Sequence, residues 1–258
     1  MAWWKSFQMD LELKEKVVIV TGASRGLGAA ITKYLSDEGA YVLAAARSES
    51  DLRSLQQYND KRILPVCCDM SVKEEVSGLA DMACNEFGNL HGIVNNAGIA
   101  PAENSLDSEI AVMENTLKVN VIAPAIIAKT AARHFVNKSQ RGSIVNIAST
   151  SGLKGKASLA SYSSSKGALL RLTESLAAEW ARYGIRVNAI APGAFETSAQ
   201  AAVLENADIL KARLRKIPQR RMGSPEEIAP MVAYLLSPIS DFVTGACFVI
   251  DGGEVSKL

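Results

Sequence analysis

Tyr162 and Lys166 stand four residues apart in the run Tyr162-Ser163-Ser164-Ser165-Lys166. An α-helix turns once in about 3.6 residues, so this spacing sets a phenol and an ammonium on one helical face. A free tyrosine ionises near pH 10 and exchanges protons poorly at neutral pH. A neighbouring ammonium favours the phenolate, which predicts a tyrosine brought towards the working range. Ser149, at the end of the apolar run that precedes this helix, adds a hydroxyl suited to hold a carbonyl oxygen while Tyr162 protonates it. Thr150 and Ser151 are adjacent alternatives, and Ser163 to Ser165 read as helix-surface residues. The chemistry these groups suit is interconversion of a carbonyl and an alcohol, which needs a hydride carrier.

A site for such a carrier is written near the start of the chain. Thr21-Gly22-Ala23-Ser24-Arg25-Gly26-Leu27-Gly28 follows an apolar run and opens a helical one. Its three glycines let backbone approach a pyrophosphate, and a helix N-terminus offers free N–H groups to that anion. The spacing G-x-x-x-G-x-G differs from the commonest dinucleotide fingerprint. The second strand ends at Ala46-Arg47, where an acidic residue would select NAD through the ribose 2′-hydroxyl. Arg47, with Arg25 on the glycine turn, suits a 2′-phosphate instead and predicts NADP(H). On the bland alternative Arg47 is a solvated loop residue and Glu49 takes the ribose.

Short β-branched runs alternate with longer amphipathic ones. Val17–Val20, Tyr41–Ala44, Ile63–Val66, Gly92–Val94, Ser143–Ile147, Arg186–Ile190 and Cys247–Ile250 read as strands. Their continuous apolar character predicts strands covered on both faces. Between them, Leu27–Asp37, Val72–Phe87, Ser108–Phe135, Leu159–Tyr183 and Pro225–Leu236 read as helices, the last opened by the capping sequence Ser224-Pro225-Glu226-Glu227. The alternation predicts an α/β doubly wound parallel sheet in one domain spanning 1–258, with an arm over 1–12. The irregular stretch 193–223 is expected to form a substrate loop.

Bulk properties exclude other classes. The 258 residues carry a formal net charge of +1 with no long run of one sign, so there is no footprint for nucleic acid. Cys67, Cys68, Cys84 and Cys247 lack metal-ligand spacing and only two histidines are present, which argues against zinc. The cysteines are expected to be reduced and mostly buried. No run resembles a signal peptide or a membrane span. Ser256-Lys257-Leu258 matches the peroxisomal import tripeptide, which predicts the peroxisomal matrix in a eukaryote and the cytoplasm in a bacterium.

Taken together in order, these residues resemble the short-chain dehydrogenase/reductase family in its compact form, from about Leu13 to Gly253. The markers are the turn Thr21–Gly28, Asp69, Asn95-Asn96-Ala97-Gly98, Asn120, Ser149, Tyr162 with Lys166, and Pro192-Gly193. Ala148, where a second serine is frequent, is a mild variation. The resemblance implies a Rossmann sheet of seven parallel strands in the order 3-2-1-4-5-6-7, flanked by helices. It implies a catalytic set of Asn120, Ser149, Tyr162 and Lys166: Tyr162 supplies the proton, Ser149 holds the carbonyl oxygen, Lys166 tunes Tyr162 and grips the nicotinamide ribose, and Asn120 holds a water leading to Lys166. NADP(H) would be held by Gly22, Ser24, Arg25, Gly26, Leu27, Gly28, Arg47, Asp69, Met70, Asn96, Ala97, Gly98, Tyr162, Lys166, Pro192, Gly193, Phe195 and Thr197. It implies a homotetramer joined through the long helices and the last strand.

The expected activity is NADPH-dependent reduction of a ketone, or of a 3-oxoacyl thioester, to a secondary alcohol. An NAD-linked alcohol, sterol or sugar dehydrogenase is the alternative, and a non-catalytic NADP-binding sensor a remote one. Ser149, Leu153, Leu159, Tyr162 and Phe195 are expected to line the substrate pocket, with Ala199 and Leu204 as further apolar wall. Lys154, Lys156, Lys211, Arg213, Arg215, Arg220 and Arg221 crowd the expected mouth. They read either as an attraction for an anionic or phosphopantetheine-linked substrate or as solvated surface charge.

Overall fold

The computed structural model describes residues 10–256, so most of the expected arm over 1–12, and Lys257 and Leu258 of the terminal tripeptide, lie outside the described residues. Strands β1 (Val17–Thr21), β2 (Tyr41–Ala46), β3 (Ile63–Cys67), β4 (Gly92–Asn95), β5 (Gly142–Ile147), β6 (Ile185–Pro192) and β7 (Cys247–Ile250) form one sheet. Every pairing is parallel and the order is β3-β2-β1-β4-β5-β6-β7. The order reverses between β1 and β4, which opens a crevice at the carboxyl ends of the strands.

Alternate residues along each strand serve opposite layers. Val18, Val20, Val42, Ala44, Val94 and Val145 pack with α1 (Gly26–Asp37) and α10 (Ala229–Leu236). Val17, Ile19, Leu43, Ile93, Ile144 and Val187 pack with α3 (Lys73–Phe87), α5 (Ala123–Asn137) and α7 (Ala160–Trp180). The central strands are buried throughout. The edges depart from that expectation. Along β7, Cys247 and Val249 are exposed, because an edge strand here has a helical layer on one face only. Cys67, at the end of the other edge strand β3, is exposed too. Of the four cysteines only Cys68 is buried, which corrects the reading of mostly buried thiols.

Other local readings change as well. A helix, α2 (Glu49–Tyr58), lies where none was read; only Leu52 and Leu55 are buried, too few to give a visible apolar stripe. The segment read as one helix over Ser108–Phe135 is not uniform. It runs α4 (Ile110–Leu117), a π-helical turn at Lys118–Ile122, then α5. The 28-residue stretch Ile110–Asn137 is also long and apolar enough to cross a membrane, contrary to the reading of no such span. Its residues Ile127, Ala128, Ala131 and Phe135 instead pack on the sheet. Residues 193–223 are not irregular: they hold the short α8 (Ala201–Leu204) and α9 (Ala207–Lys216), the latter capped by Asn206 accepting from Asp208 and Ile209 N–H. The start at Ser224 is a capping box as expected, opening a 3₁₀ turn that leads into α10.

Candidate active site

The crevice begins at the glycine turn. Gly22 (φ 63°) and Gly26 (φ 55°) occupy the left-handed region that glycine tolerates. At Gly28 a Cβ would lie 2.1 Å from the Gly22 carbonyl oxygen, so only glycine lets the turn close on itself. Asn96 braces this turn, its Nδ2 donating to the carbonyls of Thr21 (2.9 Å) and Gly22 (3.0 Å). Thr21 Oγ1 in turn accepts from the N–H groups of Asn96 and Ala97, both at 3.1 Å. Thr21 is therefore a support within the motif, joining the turn to the segment after β4.

Helix α1 starts at Gly26 with no side-chain cap and no acidic residue in its first turn, leaving its N-terminal N–H groups open to an anion. A Cβ on Gly26 would come 3.2 Å from Thr197 Cγ2, so the loop after β6 faces the turn across a narrow gap. Ser24 and Arg25 complete the turn and Leu27 lies in the first turn of α1; Arg47 follows β2, Asp69 and Met70 follow β3, Ala97 and Gly98 follow β4, and Pro192 ends β6 with Gly193 after it. Arg25 and Arg47 are exposed. Glu49 pairs with Arg53 at 2.5 Å along α2, which engages the carboxylate that would compete for a ribose. Asp69 accepts from Ser71 N–H at 2.8 Å, and that bond holds its carboxyl below the usual range. The open helix end and the glycine cradle fit the pyrophosphate of a dinucleotide.

The chemical groups lie at the ends of β5 and α7. Ser149 caps α6 (Thr150–Leu153), accepting from Ser151 N–H at 3.0 Å. Gly152 lets that short helix touch α7, since a Cβ there would lie 2.6 Å from the Lys166 carbonyl carbon. Lys166 is buried, its Nζ donating to Ile147 O at 2.7 Å and lying 5.8 Å from the Tyr162 ring centre. Burial lowers its pKa to about 8. Tyr162 differs from expectation: its pKa is raised, because burial of the phenol outweighs the opposing hydrogen bond with Ser149. The phenol is therefore a proton donor at rest.

Asn120, on the π-helical turn, is fully buried. Its amide pairs with Ile99 in both directions at 2.9 Å and also donates to Ser165 Oγ at 2.9 Å. Ser165 then donates to Tyr162 O at 2.7 Å. Ser165 is thus a buried link between Asn120 and the helix that carries Tyr162 and Lys166, and not a surface residue, a role invisible in a run of three serines. Gly98 leaves room here, since a Cβ would be 3.2 Å from Asn120 Oδ1 and 3.4 Å from Lys166 Nζ. Glu103 is a second support that no motif signals. Its carboxylate accepts from Ser161 N–H (3.0 Å), the Ser161 hydroxyl and Ser108 Oγ (2.5 Å), tying the loop after β4 to the residue before Tyr162.

The expected pocket wall is only partly assembled. Leu153 is exposed and Leu159 half-buried. Phe195 is a core residue: it bridges to Gly223, where a Cβ would strike its ring at 2.7 Å, so the side chain packs inward. Part of the expected cationic mouth is engaged. Arg213 forks onto Glu254 at 2.5 and 2.8 Å, Arg221 pairs with Glu227 at 2.6 Å, and Arg220 donates to Arg215 O.

Known proteins share this arrangement. The family described as Enoyl-(Acyl carrier protein) reductase matches residues 22–254. A cis-4-hydroxycyclohexanecarboxylate dehydrogenase of Sinomonas cyclohexanicum is 36% identical over 242 residues, 93% of this chain and 96% of its own. The 3-oxoacyl-(acyl-carrier-protein) reductase of Vibrio cholerae is 33% identical over 243 residues, covering 94% and 98%. A crystal structure from Agrobacterium tumefaciens with bound NADP, described as a candidate 2-deoxy-D-gluconate 3-dehydrogenase, superposes with a TM-score of 0.88 at 32% identity, covering 97% and 100%.

Proposed function

The chain belongs to the short-chain dehydrogenase/reductase family of oxidoreductases, and we propose that it uses NADPH to reduce a ketone carbonyl to a secondary alcohol. The observation that carries this reading is the pair Arg25 and Arg47, exposed at the adenosine end while Glu49 is engaged by Arg53. Bound NADPH would supply the hydride. Tyr162, kept protonated by its burial, gives its O–H proton to the carbonyl oxygen as the alcohol forms. Ser149 orients that oxygen. Lys166 faces the resulting phenolate with a charge it holds below about pH 8, which stabilises the anion until it is reprotonated. The bound NADP of the A. tumefaciens relative and the oxoacyl substrate named for the V. cholerae one support cofactor and direction. Residues 193–223 are assigned as the substrate loop of a single domain.

Depletion of NADPH and of NADH against a panel of ketones, quinones, sugars and acyl thioesters tests the reading. Turnover with NADPH and weak or no turnover with NADH is expected; preference for NADH would overturn it.

Assembly as a homotetramer is part of the proposal. Ile110, Ile122 and Val136 are exposed on the long helical run, and a cavity of about 480 Å³ between α5 and α7 is lined by Leu172, Leu176 and Trp180. Phe242 and Val249 are exposed beside and on the edge strand β7. Light scattering at micromolar concentration should return four chains. We also propose that Ser256-Lys257-Leu258 directs the chain to the peroxisomal matrix in a eukaryotic cell, with the cytoplasm its place in a bacterial one; a reporter carrying the tripeptide tests this directly.

A further inference from the structure

Lys156 touches both catalytic elements. Its backbone N–H donates to Ser163 Oγ at 3.3 Å, next to Tyr162, and its Nζ lies 3.4 Å from Oγ1 of Thr150, the buried residue that follows Ser149. Among the described residues, no carboxylate lies within hydrogen-bonding distance of its ammonium. The nearest, Glu254, is 3.8 Å away and already receives both arms of Arg213 at 2.5 and 2.8 Å. The charged groups acting on Lys156 are Glu254 and Asp251 against Arg213 and Lys216. With Lys156 itself this makes three cations and two carboxylates. Asp251 spends its oxygens on the N–H groups of Gly253 (2.8 Å) and Val255 (2.6 Å). An ammonium has three donors, and a distant hydroxyl is a poor return for a side chain only 36% exposed. Its pKa is lowered, first by desolvation and then by Arg213 and Lys216, despite the two carboxylates. The ammonium thus has fewer partners than donors, on a segment bonded to the neighbours of Ser149 and Tyr162.

We propose that Lys156 anchors an anionic group of the substrate, so that the natural substrate is a keto acid whose carboxylate lies a few bonds from the reacting carbonyl. The proposal rests on the carbonyl-reductase reading above. Of the cations near the mouth, Arg213 and Arg221 already hold carboxylates and Arg220 a carbonyl, whereas Lys156 is joined to both Thr150 and Ser163, beside Ser149 and Tyr162. A substrate carboxylate would complete its hydrogen bonding, and such charge-assisted bonds are roughly twice as strong as neutral ones.

The test uses the full chain with NADPH, the linear keto acid levulinate and its two next homologues, and the methyl ester of each. At least one acid should exceed its ester in kcat/KM by about tenfold or more. In Lys156→Met this ratio should collapse, chiefly through KM of the acid, and Lys156→Arg should restore part of it. Equal use of acid and ester, or a ratio unmoved in Lys156→Met, overturns the proposal while leaving ester reduction, and so the reductase reading, intact. Calorimetric binding of the same acids in the presence of NADP⁺ requires no turnover. Weaker binding to Lys156→Met supports the anchor, and equal or absent binding overturns it. Loss of NADPH consumption with every carbonyl would instead count against the reductase reading.

Discussion

The side-chain amide of Asn120 donates a 2.9 Å hydrogen bond to the hydroxyl of Ser165, joining the π-helical turn to the helix that carries Tyr162 and Lys166. The extra residue in that turn interrupts the regular helix, as π-helical turns often do at functional sites. Three elements meet on one amide, since Asn120 also clamps Ile99 after β4.

Removing the hydroxyl in Ser165→Ala leaves a buried amide N–H short of a partner. A loss of about 1–3 kcal/mol in unfolding free energy is expected. We expect kcat to fall more than KM for NADPH, because the change displaces the acid and not the cofactor cradle. Denaturant unfolding and steady-state kinetics measure the two effects.

Tyr162→Phe should abolish carbonyl reduction and leave NADPH binding, followed by fluorescence, near its original strength. Undiminished turnover would remove the assigned donor.

Lys166 loses its charge as pH rises through about 8. The kcat/KM for NADPH, which reports groups of the free enzyme, should therefore decline above that pH. The same group has a stability signature of known sign. Its folded pKa lies below its unfolded value near 10.4, so between about pH 8 and 10.4 the unfolded chain binds more protons and this group's contribution to stability rises with pH. Lys166→Met should lack both features in pH–rate and pH–melting curves.

Reversing the charge at Arg47 tests the cofactor. Arg47→Asp places a carboxylate where the 2′-phosphate is expected, and NADPH efficiency should fall about 100-fold, beyond what loss of one charge-assisted contact gives, while NADH gains. Initial rates with each cofactor decide it.

His91 accepts the Val17 N–H on Nδ1 at 2.9 Å, and burial, reinforced by Lys16, lowers its pKa to about 4. Protonation would break this latch at the start of β1. The unfolded chain binds the proton first, from about pH 6.5 downwards, so stability should be lost progressively from there to pH 4. Thermal midpoints across this window should flatten in His91→Gln, which has no proton to take up.

Much of this was legible in the chain because its local demands are strict. Gly28 admits no Cβ, the Tyr162–Lys166 spacing defines a helical face, and the β-branched runs of β1, β5 and β6 suit strands covered on both faces. What local pattern could not supply was distance. Glu103 reaches Ser161 across 58 positions and Arg213 reaches Glu254 across 41, and nothing near either residue signals the partner. Nor could it supply solvent. The phenol of Tyr162 was expected to be made more acidic by Lys166, but packing removed water from both groups, and desolvation outweighed their separation of a helical turn. The sequence by itself determined which groups stand on which strand end and helix face, since these follow from backbone geometry. Only the tertiary structure decided their protonation and their partners, because those depend on what the fold brings alongside and what it shuts away from water.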